Sequence, residues 1–106
     1  MRFLKIFLVV VPLFSAVTQL PAVPSCNLQP RVCMNFLSGY TPARASASCG
    51  TYSGVYSSED CPLLGKVGTC VNTMGSDQIM TVFYSAVGDT AAARVMCIAT
   101  GGQFAP

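Results

Sequence analysis

The sequence predicts an α+β fold: a small disulfide-stapled domain with a short antiparallel sheet and two short helices, one supersecondary unit used twice. Three observations predict it. Six cysteines fall in two runs of three, Cys26, Cys33 and Cys49, then Cys61, Cys70 and Cys97. The runs look alike: Cys33-Met34-Asn35 matches Cys70-Val71-Asn72, and each run closes on Cys-x4-Gly-x-aromatic, from Cys49 to Gly54 and Tyr56 and from Cys97 to Gly102 and Phe104. The second run also carries a period-two pattern followed by a helical one, a hairpin and then a helix.

Residues 1–22 are expected to be a signal peptide, outside the fold. Arg2 and Lys5 form a short basic start, and Ile6 to Val17 is apolar apart from Pro12 and Ser15. That run is short of the roughly 20 apolar residues a spanning helix needs, and a short apolar run behind a basic start is the pattern of an export leader. Leu20-Pro21-Ala22 sets a cut before Val23, leaving residues 23–106 as a single disulfide-rich domain with units 26–60 and 61–106. A competing reading takes Val23-Pro24-Ser25-Cys26 as a bacterial lipobox, with Pro24 where a small or aliphatic residue is usual. Acylation there would take Cys26 out of pairing and leave an odd number of cysteines, so the pairing logic favours the soluble form.

Losing the leader changes the charge. Arg31, Arg44, Lys66 and Arg94 then balance Glu59, Asp60, Asp77 and Asp89. A neutral, sparsely charged surface gives little steering toward nucleic acid or anionic lipid. No nucleic-acid partner is expected, and a membrane only if Cys26 is lipidated. A core this small rarely supplies more than about 3–5 kcal/mol, so cross-links are expected to carry much of the stability.

Element by element, residues 23–32 read as irregular and Val32 to Leu37 as a strand; Ser38-Gly39-Tyr40 is a turn. Thr41-Pro42 places an N-cap before a proline at the first helical position, and Gly50 closes the helix of small residues that follows. Gly54-Val55-Tyr56 is a short strand or loop. Lys66 to Met74 alternates, with Val67, Thr69, Val71 and Thr73 on one face and Gly68, Cys70, Asn72 and Met74 on the other. A turn over Gly75–Gln78 and a strand from Ile79 to Ser85 would pair Cys70 with Phe83, Val71 with Val82 and Met74 with Ile79. Asp89 caps a second helix whose buried stripe is Ala92, Val95, Met96 and Ala99, ended by Gly101-Gly102. Tyr56 and Phe104, alike in the repeat, are expected to plug the core.

Three cysteines per unit require at least one bridge between units. The expected pairing is Cys33–Cys49 and Cys70–Cys97 within units, with Cys26–Cys61 across them.

The chemistry available is thin. There is no histidine, which removes the usual general base, the common nucleophile pairs and the commonest metal ligand. Glu59 and Asp60 are adjacent, so an extended chain would point them apart, and Lys66 reads as a solvated edge charge. Cys26-x6-Cys33 and Cys61-x8-Cys70 lack the tight spacing of a zinc knuckle. The glycines follow helices instead of preceding them, which fits C-caps and not phosphate loops. The reading is therefore no catalytic residue, no metal and no cofactor. Tyr40 and Tyr52, in loops, are the candidate contact residues.

The segments Cys61-Pro62, Leu64-Gly65, Val67-Gly68-Thr69-Cys70, Val82-Phe83-Tyr84-Ser85, Ala91-Ala92-Ala93 and Cys97-x3-Gly101-Gly102-x-Phe104 resemble a pattern in short cysteine-rich exported proteins and lipoproteins of bacteria, including spirochaetes. The resemblance covers the second unit well and the first through Cys49, Gly54 and Tyr56. It implies location and fold, and carries no site residues. Two functions are expected: a secreted or periplasmic module with a structural or protein-binding role toward an envelope or extracellular protein, or a lipoprotein acylated at Cys26 and anchored to the outer membrane. A small enzyme or enzyme inhibitor is a third, and would need a cleft or protruding loop.

Overall fold

The computed structural model describes residues 23–28 and 30–106; the expected leader, residues 1–22, lies outside them. The order is β1 (Ser25–Leu28), β2 (Val32–Phe36), α1 (Pro42–Thr51), β3 (Val55–Ser57), β4 (Lys66–Met74), β5 (Asp77–Tyr84), a 3-10 turn (Ser85–Val87), α2 (Thr90–Ala99) and β6 (Gln103–Ala105). The six strands form one antiparallel sheet in the order β3-β1-β2-β5-β4-β6, the α+β architecture the sequence predicts.

That order divides the chain into two ββαβ units that meet at the β2–β5 pair. In each unit a helix crosses over the first strand and returns the chain to that strand's outer edge. The register is symmetric about the centre: Met34 faces Thr81, while Val32 faces Phe83 and Phe36 faces Ile79. Cys26 pairs with Tyr56 as Cys70 pairs with Phe104. Cys26, and not Cys33, therefore stands where Cys70 stands, which moves the expected likeness by one strand.

The disulfides follow this geometry. Cys26–Cys49 and Cys70–Cys97 each tie a helix to the strand it crosses, with Cα atoms 5.3 and 5.4 Å apart. Cys33 bonds Cys61 and is the link between units. Of the expected pairs Cys70–Cys97 forms; Cys33–Cys49 and Cys26–Cys61 are replaced. Strand alternation is the reason. Cys33 sits opposite Asn27 in the register and Cys26 opposite Met34, so Cys33 and Cys26 point to different faces. Only Cys26 faces α1.

Each helix buries only what its disulfide turns inward: Ala45 and Cys49 on α1, Ala93 and Cys97 on α2. The expected stripe on α2 is displaced, with Val95 66% and Met96 42% exposed. Periodicity alone ranks the larger residues inward, but the covalent anchor at Cys97 fixes the rotation. Cys26, Met34, Phe36 and Ile79 pack under α1, and Cys70 and Phe83 under α2, with Tyr56 and Phe104 closing the respective clusters as expected.

Other boundaries also shift. Residues 25–28 form a strand, because Ser25 and Asn27 alternate with Cys26 and Leu28. The hairpin loop is only Gly75-Ser76, so Cys70 pairs with Thr81, Val71 with Met80 and Met74 with Asp77. That is two residues from the expected register, which keeps every side chain on its expected face. Gly75 at φ +64 leads the two-residue loop, as a type II′ turn requires.

Both helices end alike. The amides of Ser53 and Gly54 donate to the Gly50 and Cys49 carbonyls, as Gly101 and Gly102 donate to Ile98 and Cys97. This is a Schellman closure used twice. Gly50 lies inside α1, so the expected stop at Gly50 falls instead on Ser53, which takes the left-handed conformation at φ +60.

Candidate binding groove

The chain leaves β3 at one edge and must reach β4, four strand spacings away, roughly 19 Å. Residues 58–65 do this, and eight extended residues reach at most about 26–29 Å. They cross the face opposite the helices, and the slack is taken up by a bend at residues 58–59 and a turn closed by the Lys66 amide donating to the Leu63 carbonyl at 3.2 Å. The result is a strap, and the sheet grips it along its length. The Ser25 hydroxyl donates to the Glu59 carbonyl at 2.6 Å, and the Cys61 amide donates to Asn35 Oδ1 at 2.9 Å. Cys61 is bonded to Cys33, and the Tyr84 hydroxyl donates to the Pro62 carbonyl at 2.6 Å. The strap seals Cys33 and Val82 completely. Burial pushes the Tyr84 phenol above its ordinary range, so it keeps its proton and goes on donating.

Beside the strap, against β1 and β3, lies an open groove of about 620 Å³. Ser25 and Asn27 of β1 and Val55 and Ser57 of β3 form its floor, because Ser25 faces Ser57 and Asn27 faces Val55 in the register. Glu59, Asp60 and Pro62 of the strap form one wall. Asn27 has a buried Oδ1 that accepts no hydrogen bond among the described residues. Val55 is 71% exposed, and on the far side of the strap Leu64 is 93% exposed. The groove therefore combines hydroxyls, two carboxylates and an apolar lip. Among the described lining residues, no side chain is an amine, imidazole or thiol.

The two expected contact tyrosines lie elsewhere. Tyr40 is half-buried against Phe36, ring centroids 4.9 Å apart, with the Arg44 guanidinium 4.5 Å above its ring. Arg44 also donates to the Gly39 carbonyl at 2.7 Å and pairs with Asp77, so this corner is a joint between α1 and β5. Tyr52 is exposed, on the rim of a smaller groove of about 320 Å³ on the helix side, over Met34, Ile79 and Thr81. The structure does not bring the two together.

The strap groove was hidden in the sequence because its floor comes from a four-residue strand in a segment read as irregular. Its one signal was the alternation Ser25, Cys26, Asn27, Leu28. The six cysteine sulfurs are all consumed in disulfides, so none is a metal ligand. Compared with protein-family models, curated proteins and solved structures, the chain finds no match in any of the three.

Proposed function

We propose that this chain is an exported, non-catalytic binding module, secreted or periplasmic, whose contact surface is the strap groove and whose partner is an envelope or extracellular protein. This is a small disulfide-stabilised protein suited to an oxidising, non-cytoplasmic setting. The open groove beside the strap carries the finer reading. Its hydroxyl-lined floor, from Ser25 and Ser57, offers acceptors to an incoming N–H. The neighbouring carboxylates favour a donor that is positively charged, and the exposed Val55 supplies apolar contact beside it. The resemblance to short cysteine-rich exported bacterial proteins is consistent with the same setting.

Acylation at Cys26 is the less supported alternative. Cys26 is fully buried and bonded to Cys49, so a thioether there would cost a helix anchor and draw a core residue out of the sheet.

A photo-crosslinking residue at Val55 tests the proposal, with the same residue at Val95 on α2 as its counterpart. In the intact envelope or culture medium, a discrete adduct is expected from Val55, and it should weaken when Glu59→Gln is added. Adducts from Val95 alone, or from neither position, would overturn the reading.

A further inference from the structure

The first described residue already touches the strap. The Val23 backbone nitrogen donates to Asp60 Oδ1 at 2.6 Å, and the Pro24 carbonyl accepts from the Phe36 amide at 2.9 Å. From Pro24 onward the chain is bonded into the sheet. A cut after Val23 would therefore sacrifice the Asp60 contact, and one after Pro24 would also disturb the sheet bond. A cut upstream of the Ala22–Val23 bond would leave the Val23 nitrogen an ordinary amide with a single proton to donate.

We infer that hydrolysis of the Ala22–Val23 bond makes Asp60 the seat of the new α-ammonium group, so that processing itself adds an ion pair that locks the N-terminus to the strap. Water adds across the C–N bond: its hydroxyl goes to the Ala22 carboxyl and its proton to the Val23 nitrogen, which takes a further proton from solvent. A leader peptidase of the exporting cell supplies the catalysis. The nitrogen keeps its position beside Asp60, exchanging a neutral donor for a charged one, so a hydrogen bond already assisted by the carboxylate's charge gains an ion pair. The groove wall gives the charge a purpose: Glu59 and Asp60 line it together, and no basic side chain is among its lining residues. The α-ammonium provides that missing cation, leaving Glu59 as the free carboxylate.

This rests on the reading of the chain as exported, and the test separates the two. The chain is exported with its own leader in a Lys66→Arg background, which leaves the α-amine as the sole acylable amine once residues 1–22 are gone. N-terminal sequencing is expected to begin at Val23. Acetylating that amine, or replacing Asp60 by Asn, should each lower the folding equilibrium constant about two- to five-fold, the range of exposed ion pairs. The two changes together should cost no more than either alone. An uncut chain, or one starting elsewhere, would overturn the processing step. A Val23 start with additive effects, or with no effect of acetylation, would overturn the Asp60 seat while leaving export standing.

Discussion

At residue scale, the sulfurs dictate which neighbours are small. A Cβ built on Gly54 would overlap Cys26 Sγ, and one on Gly102 would overlap Cys70 Sγ. The glycines at the two equivalent positions exist so that β3 and β6 can lie beside a disulfide. Gly102→Ala is expected to destabilise by about 1–3 kcal/mol, the range for overpacking a tight site. Ser53 is the opposite case. It holds a left-handed conformation that its counterpart Gly101 adopts freely, so Ser53→Gly should stabilise by roughly 1 kcal/mol. Urea midpoints of the two variants check both signs.

The same scale sets the acid response. The hydrogen bond from Arg44 holds the Asp77 carboxyl below its usual range, and the Asp77 bond holds Arg44 charged still more firmly. A depressed carboxyl stabilises above its unfolded pKa, about 3.9, and that contribution disappears as pH falls through the folded value. Asp77→Asn should therefore lower the thermal midpoint slightly at pH 7 and leave it unchanged near pH 2. An equal loss at both pH values would remove the ion pair from the account.

Among the elements, the strap differs from the rest because it has no secondary structure of its own and is held by the sheet beneath it. Cys33–Cys61 closes a loop of 28 residues and, in the chain-entropy model, is worth about 3–4 kcal/mol. Replacing both cysteines by alanine should cost about 2–5 kcal/mol and speed hydrogen exchange of the backbone amide at position 61, which in the unaltered chain donates to Asn35. The amides of the β4–β5 hairpin should stay protected until global unfolding. Uniform loss of protection would mean that the strap is not a separate unit.

The elements also show where the sequence was legible. The long hairpin, Thr41-Pro42 and the Asp89 cap could be read because local chemistry decides them: alternation, a preset φ, and side-chain oxygens accepting from Arg44 and Ala92 amides. The face of α2 could not. Val95 and Met96 outrank Ala93 in hydrophobicity, and only the bond from Cys97 to Cys70 overrides that ranking. β1 was missed because its four residues offer two periods of alternation, too few to stand out beside Pro24 and Pro30. With β1 unseen, Cys26 had no assigned face, so its partner could not be deduced and the groove had no floor.

As a whole molecule, the chain is two ββαβ units joined edge to edge, with helices on one face and a strap on the other. We propose that the matching register, helix closures and Cys26–Cys49 and Cys70–Cys97 bridges descend from an internal duplication. Each unit alone would expose an open β2 or β5 edge, and joining them covers both. Two bridges fix the helices inside the units and the third fixes the crossing between them, which gives disulfides a structural share that the small core cannot match. Peptide mapping of the unreduced, purified protein by mass spectrometry tests this most directly. The expected result is Cys26–Cys49, Cys33–Cys61 and Cys70–Cys97 with no free thiol. Finding Cys33 joined to Cys49, Cys26 joined to Cys61, or Cys26 acylated would contradict it.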